Sequence, residues 1–242
     1  MTARERIFVA LDTPDAARAR ELVSVLRDRV GGFKIGLEMF CAQGPTFVRE
    51  LVDGGATVFL DLKLHDIPNT VAGAAAAAAG LGASFLTVHA LGGPLMIRRA
   101  VEAVSEPARS AGGRGTTVLA VTVLTSHDDR DLERLGLGGP ASAAVERLAA
   151  LAREGGAGGV VCSPREIPHV RSAFPEAIVV VPGIRPSGVA VRADDQQRTD
   201  TPGGAVARGA DRLVVGRPIT QAPDPLAAAE AIARDIASGE GQ

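Results

Sequence analysis

The chain has 242 residues, 46% of them apolar, with a formal charge of −2 and neither Trp nor Tyr. With a pI near 6.1 and no run of basic residues interleaved with aromatics, it lacks the electrostatic footprint of a nucleic-acid binder. It offers no stretch of about 18 uninterrupted apolar residues to span a bilayer and no apolar leader in MTARERIFVALD; a cytoplasmic protein without a membrane partner is expected.

Parallel strands covered on both faces read as short apolar runs, and the helices that connect them as longer amphipathic stretches. From the N-terminus, a strand over Ile7–Leu11 precedes a helix over Asp15–Arg29, Phe33–Gly36 precedes Phe47–Asp53, and Thr57–Leu62 precedes Asn69–Gly80. Phe85–His89 leads to Pro94–Ser105, Val118–Leu124 to Ala141–Glu154, and Gly159–Cys162 to Pro164–Phe174. Ile178–Val181 runs into a long polar stretch, and Leu213–Val215 comes before a last helix over Pro225–Ala237. Asp, Thr, Ser or Pro stands at several helix starts, where it satisfies or dispenses with unpaired backbone N–H groups. Eight strand–helix units without a composition break predict a single-domain (β/α)8 TIM barrel over residues 1–242, although an open doubly wound sheet shares this alternation. Cys41 and Cys162 are too few for a disulfide framework and have no metal-site spacing, so both are expected as reduced core residues.

In a barrel, chemistry gathers at the C-terminal ends of the strands. Asp61 and Lys63, two apart on a strand, should point to the same side, toward the mouth. Lys34 on the second strand, Asp12 after the first and Asp66 just beyond the third are expected to converge there. Charges collected in one place without purpose are costly to bury, which favours a reaction centre over a trimmed strand end. A lysine between carboxylates stays an ammonium, so Lys63 reads as an acid rather than as a Schiff-base nucleophile. Aimed at developing negative charge on carbon, it would stabilise a carbanion and then protonate it. The carboxylates could suggest Mg²⁺, but a cation would face Lys34 and Lys63, so no metal is expected.

The last strand runs into Val215-Gly216-Arg217-Pro218. Barrels often bind phosphate after strands seven and eight, where a glycine allows close approach and an arginine grips two oxygens. After strand seven, Pro182-Gly183-Ile184-Arg185 precedes a polar loop, Ser187–Gly204, long enough to act as a lid over the substrate. His65 and His89 read as structural braces, His127 and His169 as surface residues, and Asp128–Asp131 as a solvated helix start.

Asp61-Leu62-Lys63-Leu64-His65-Asp66-Ile67-Pro68-Asn69-Thr70 resembles the signature of the orotidine 5′-monophosphate decarboxylase family. Val9–Asp12, Phe33–Gly36, Val121–Ser126, Pro182–Arg185 and Val215–Pro218 resemble family segments in the same order. The resemblance implies a homodimeric lyase with active sites at the subunit interface, which decarboxylates orotidine 5′-monophosphate to UMP in the last step of de novo pyrimidine synthesis, without metal or cofactor. By position it makes Lys63 the donor of a proton to C6, with Asp61 and Lys34 completing the charged array. Asp66, Ile67 and Thr70 would enter the partner's site. Asp12 and Lys34 would hold the ribose, Thr125 the pyrimidine, and Gln196 both base and phosphate. Arg185, Gly216 and Arg217, beside Pro182, would take the 5′-phosphate. The similar sugar-phosphate branch, hexulose-phosphate synthases and ketogulonate-phosphate decarboxylases, uses Mg²⁺ and an acidic ligand where this chain has Lys34. A catalytically silent nucleotide-binding barrel is the alternative of another class.

Overall fold

A computed structural model describes residues 1–111, 115–186 and 199–239. Its strands are β1 (Ile7–Ala10), β2 (Gly32–Gly36), β3 (Val58–Leu64), β4 (Phe85–His89), β5 (Thr117–Val121), β6 (Gly159–Val161), β7 (Ile178–Val181) and β8 (Arg212–Val215). They pair in parallel in chain order and β8 closes on β1, with Val9 opposite Val215. That closure excludes the open sheet with which the sequence pattern was also compatible.

Alternation along each strand divides the core into two layers. Ile7 and Val9 face outward into the large cluster shared with the helices. Phe8 and Ala10 face inward with Phe59, Leu119, Val180 and Val214. Inside, Phe8, Phe59 and Phe85 meet edge to face at centroid separations of 5.6 to 6.2 Å, a favoured arrangement of ring quadrupoles. Gly32 leaves room for this plug, since a Cβ there would lie 2.6 Å from the Phe8 ring. The same alternation carries β2 from Gly32 to Lys34 and β3 from Phe59 to Asp61, so an apolar floor supports a charged rim.

The outer layer consists of α1 (Ala16–Leu26), α2 (Leu37–Asp53), α3 (Pro68–Ala79), α4 (Gly93–Ala111), α5 (Asp129–Arg134), α6 (Ala141–Glu154), α7 (Ile167–Ala173), α8 (Pro202–Ala207), α9 (Arg217–Thr220) and α10 (Pro225–Gly239). Asp15 caps α1 by accepting the Ala17 and Arg18 N–H groups, and Ala19, Leu22, Val23 and Leu26 form its buried stripe. A reciprocal capping box between Asp128 and Asp131 starts α5, as its acidic sequence suggested. No helix among the described residues is long and apolar enough to cross a membrane.

Three expectations need correction. The second helix begins at Leu37, well before Phe47, because it is interrupted rather than short: Gly44 adopts φ 67° and ψ −170° ahead of Pro45. Proline lacks the N–H that would continue the helix and disfavours helical geometry in the preceding residue. Cys41 stands on the exposed side of this extra turn, outside the core, whereas Cys162 is buried. The fifth strand also stops at Val121, which leaves Thr125 on the loop at the barrel mouth.

Candidate active site

The barrel mouth opens on a cavity of about 600 Å³, within the range of small-molecule sites. Its floor includes Ala10, Phe59, Val161 and Val214, and one wall is formed by Asp12, Lys34, Asp61 and Lys63. The rest of the lining carries Thr125 beyond β5, Pro182 and Arg185 beyond β7, and Gly216 and Arg217 beyond β8.

The charges alternate. Lys34 Nζ donates to Asp12 Oδ1 at 2.7 Å and lies 3.7 Å from Asp61 Oδ2, while Lys63 Nζ donates to that same Oδ2 at 2.8 Å. Lys34 and Asp61 are buried, at 8% and 9% exposure. Asp61 Oδ1 accepts a hydrogen bond from the Thr87 hydroxyl at 2.9 Å. Burial alone would raise the Asp61 pKa, but the Lys34 and Lys63 charges, with hydrogen bonds from Lys63 and Thr87, outweigh it and hold the carboxyl below its ordinary 3.8. Asp61 is therefore a carboxylate at neutral pH.

Lys63 departs from regular strand geometry. Its φ is 49°, the only positive value among the described non-glycine residues, and the β3–β4 register shifts between Leu60 and Leu64. Left-handed geometry in a long side chain is strained and requires support from its surroundings. The two-residue spacing still brings Lys63 beside Asp61, but through a bulged strand rather than through simple alternation.

His89 borders this group. Burial foremost, then the neighbouring His65, Lys63 and His127, lowers its pKa from 6.5 to about 4, so the ring is neutral near pH 7. Its Nδ1 accepts the Leu91 N–H at 3.3 Å, and His65 stacks on it at 5.4 Å between centroids. Both histidines thus brace the mouth. His127 and His169 are half-buried rather than fully at the surface.

Asp66 does not join the array within one chain. Pro68 begins α3 and turns the segment aside, leaving Asp66, Ile67 and Thr70 exposed and outside the cavity lining. The Asp66 carboxylate accepts its neighbour's N–H, from Ile67, at 2.6 Å. Gln196 and residues 187–198 of the expected lid lie outside the described residues. The segments on either side of them are joined, since Arg185 N donates to Asp200 O at 2.8 Å and Asp200 N to Gly183 O at 3.3 Å.

Two contributors escaped the sequence reading. Thr87 is an inconspicuous hydroxyl within the apolar run Phe85–His89. Gly36 faces the charged pair so closely that a Cβ would lie 3.0 Å from both Asp12 Oδ1 and Lys34 Nζ. Strand alternation counted from Phe85 and Gly32 places both on the inner face, but their partners there depend on the register between strands.

Comparison with known proteins agrees with this geometry along the chain. A family model described as "Orotidine 5'-phosphate decarboxylase / HUMPS family" matches residues 5–232. The orotidine 5′-phosphate decarboxylase of Anaeromyxobacter dehalogenans is 54% identical over 237 residues, which cover 98% of this chain and 100% of that one. That of Halorhodospira halophila is 53% identical, covering 96% of each. The crystal structure of orotidine 5′-phosphate decarboxylase from Lactobacillus acidophilus superposes with a TM-score of 0.82 at 39% identity, covering 95% of this chain and 98% of that one. The chain belongs to the orotidine 5'-phosphate decarboxylase / HUMPS family.

Proposed function

We propose that this chain converts orotidine 5′-monophosphate to UMP and CO₂ by direct decarboxylation, with Lys63 as the acid. The observation that carries the reading is the buried Asp61 carboxylate shared through one oxygen by two ammonium groups, Lys34 at 3.7 Å and Lys63 at 2.8 Å.

The C6–carboxylate bond breaks, CO₂ departs, and the electron pair stays on C6. Without an electron sink to spread that charge, stabilisation must come from a fixed cation. Lys63 is that cation and then gives a proton to C6, leaving UMP and a neutral amine that solvent reprotonates. Asp61 holds the ammonium in place and disfavours a second carboxylate beside it. Arg185 and Arg217, with Gly216 and Pro182 alongside, receive the 5′-phosphate across the cavity. Asp12 and Lys34 hold the ribose hydroxyls, Thr125 meets the pyrimidine, and Gln196 bridges base and phosphate. Phosphate binding distant from C6 contributes energy that can be used at the reacting centre.

Lys34 also supports a reaction without metal. Its ammonium occupies the space between the Asp12 and Asp61 carboxylates, where a divalent cation would be repelled. The sugar-phosphate branch of the family would require an acidic ligand there.

The exposed Asp66, Ile67 and Thr70 fit a homodimer in which they complete the partner's site. Leu37, Leu91 and Leu95, at 52%, 44% and 58% exposure, follow β2 and β4 at the same end of the barrel and would be covered by the same contact. Residues 1–242 act in this reading as one cytoplasmic catalytic domain.

The test is turnover of orotidine 5′-monophosphate in EDTA, followed by the ultraviolet change to UMP, with Lys63→Ala alongside. The wild-type chain should turn over fully, and Lys63→Ala should lose at least about 10³-fold in kcat while still binding the nucleotide. Turnover that requires Mg²⁺, or a Lys63→Ala variant near wild type, overturns the reading.

A further inference from the structure

Thr87 is fully buried on the inward face of β4 and does not line the cavity. Its neighbours in the strand, Phe85, Leu86 and Val88, are apolar, so the hydroxyl is a polar group buried in a hydrophobic wall. Such a group is costly unless its hydrogen-bonding capacity is used. Here both functions of one hydroxyl are used at once. The O–H donates to Asp61 Oδ1 at 2.9 Å, and the oxygen accepts the backbone N–H of Lys63 at 2.9 Å.

Those two bonds address the two unusual features of the site. With Oδ1 committed to Thr87, the Asp61 carboxylate presents Oδ2 to Lys34 and Lys63. Lys63 lies where the β3–β4 register breaks, between the Leu60–Leu86 and Leu64–Val88 pairs, and the Thr87 side chain supplies the acceptor that a regular ladder carbonyl would have provided. A residue at φ 49° keeps that conformation only while its surroundings hold it there. Without the hydroxyl, the backbone is free to relax toward extended geometry, which would swing the ammonium away from its place beside Asp61.

We propose that Thr87 is a positioning residue for the reaction: its hydroxyl fixes the Asp61 carboxylate and the left-handed Lys63 backbone in one arrangement, and so places the acid. The inference rests on the reading of Lys63 as proton donor given above. Thr87 touches no substrate; it acts through two groups that do. Its loss belongs to the chemical step, because the arginines and Thr125 across the cavity are not coupled to it by any of these bonds.

Thr87→Val removes the hydroxyl at nearly constant volume, and Thr87→Ser restores it. For Thr87→Val we expect kcat to fall about 10- to 100-fold, the size of effect produced by small misplacements of reacting groups, with KM and UMP binding within about threefold of wild type. Thr87→Ser should recover kcat to within about threefold of wild type under the same criterion. The acid limb of the kcat–pH profile should move to higher pH in Thr87→Val and return in Thr87→Ser, because a carboxylate that loses a donor to its charged form is protonated more easily.

The proposal is overturned by wild-type kcat and pH profile in Thr87→Val. It is equally overturned if Thr87→Ser is as impaired as Thr87→Val, or if KM rises in step with the fall in kcat. Should Thr87→Val fail to fold, Thr87→Ala is measured against Thr87→Ser by the same criteria. Lys63→Ala run in parallel separates the two levels: turnover there sinks the reading of the site. An inactive Lys63→Ala beside an unimpaired Thr87→Val sinks only the role of Thr87.

Discussion

Gly36→Ala separates the geometry of the charge array from the stability of the fold. Gly36 ends β2 at φ −90° and ψ −177°, an extended conformation open to any residue, so alanine brings no backbone strain. The added methyl would lie 3.0 Å from Lys34 Nζ and from Asp12 Oδ1, inside the about 3.5 Å at which nonbonded heavy atoms attract best. Both contacts are with side-chain tips, which can yield without disturbing the barrel. They cannot yield without moving Lys34 relative to Asp12 and Asp61, now at 2.7 and 3.7 Å. Relief of the overlap requires a shift of about 0.5 Å. Since a 1 Å misplacement can cost about 10²-fold in rate, we expect kcat/KM to fall about tenfold, or about 1.4 kcal/mol of transition-state stabilisation. The melting temperature should hold or rise, because replacing glycine at a compatible position stabilises by about 0.4–1 kcal/mol through the unfolded chain. Spectrophotometric kinetics and thermal melting on the same preparation decide the matter. Wild-type kcat/KM, or a fall in activity accompanied by a matching loss of stability, refutes the argument.

Arg217→Ala should raise KM about 10- to 100-fold and weaken UMP binding, while the slow reaction of orotidine without phosphate stays as in wild type; equal losses on both substrates would remove Arg217 from the phosphate site. His89 predicts a pH dependence of stability. Its folded pKa, near 4, lies below the ordinary histidine value of 6.5, so the unfolded chain takes up a proton first as the pH falls, and the stability present above 6.5 is lost progressively toward 4. Allowing for solvent screening, this amounts to about 1 kcal/mol. His89→Asn should flatten that part of the melting temperature–pH curve, and an unchanged slope would count against a neutral His89. If Asp66 serves a partner's site, equal mixing of inactive Lys63→Ala and Asp66→Ala subunits should restore about a quarter of wild-type activity, one intact site in each mixed dimer; no recovery despite proven exchange would show that the sites are not shared.

The barrel was legible because its determinants are local and periodic. Every strand from Ile7 to Val215 carries an apolar run that parallel pairing requires, and caps such as Asp15 and Asp128 mark helix starts by their own chemistry. What escaped has no local mark. A proline at 45 reads as a barrier to a helix, although a glycine before it lets the chain break and resume. The left-handed turn at Lys63 lacks the glycine or asparagine that usually announces such geometry, because it is imposed by Asp61 and Thr87 rather than preferred by the residue. The role of Thr87 depends on contact across neighbouring strands with Lys63, 24 positions earlier in sequence, which only register reveals. The candidate site was legible in its charged residues, of which Lys34 and Asp61 are buried together and so demand a reason, and illegible in the neutral residues that hold them.

That division follows from how the array must work. Asp12, Lys34, Asp61 and Lys63 sum to zero, so the cavity wall has little net attraction for an anion; only the placement of charge within it can discriminate. In the proposed reaction a substrate carboxylate would meet Asp61 in the ground state, whereas the electron pair left on C6 would meet Lys63. Groups that favour the second arrangement over the first lower the barrier, and uniform attraction to both would not. Such discrimination over a few ångströms is lost if the ammonium and carboxylate can exchange places or swing apart. A strained Lys63 backbone, a glycine pressed against Lys34 and a buried threonine clamped to Asp61 each deny the array that freedom. The proposed phosphate site would tolerate looser construction, because its arginines would bind the same anion before and after the chemistry. Rigidity is therefore expected at the β2–β4 side of the mouth, and the variants Gly36→Ala and Arg217→Ala should divide accordingly, the first lowering kcat together with any loss in ribose binding and the second acting in KM alone.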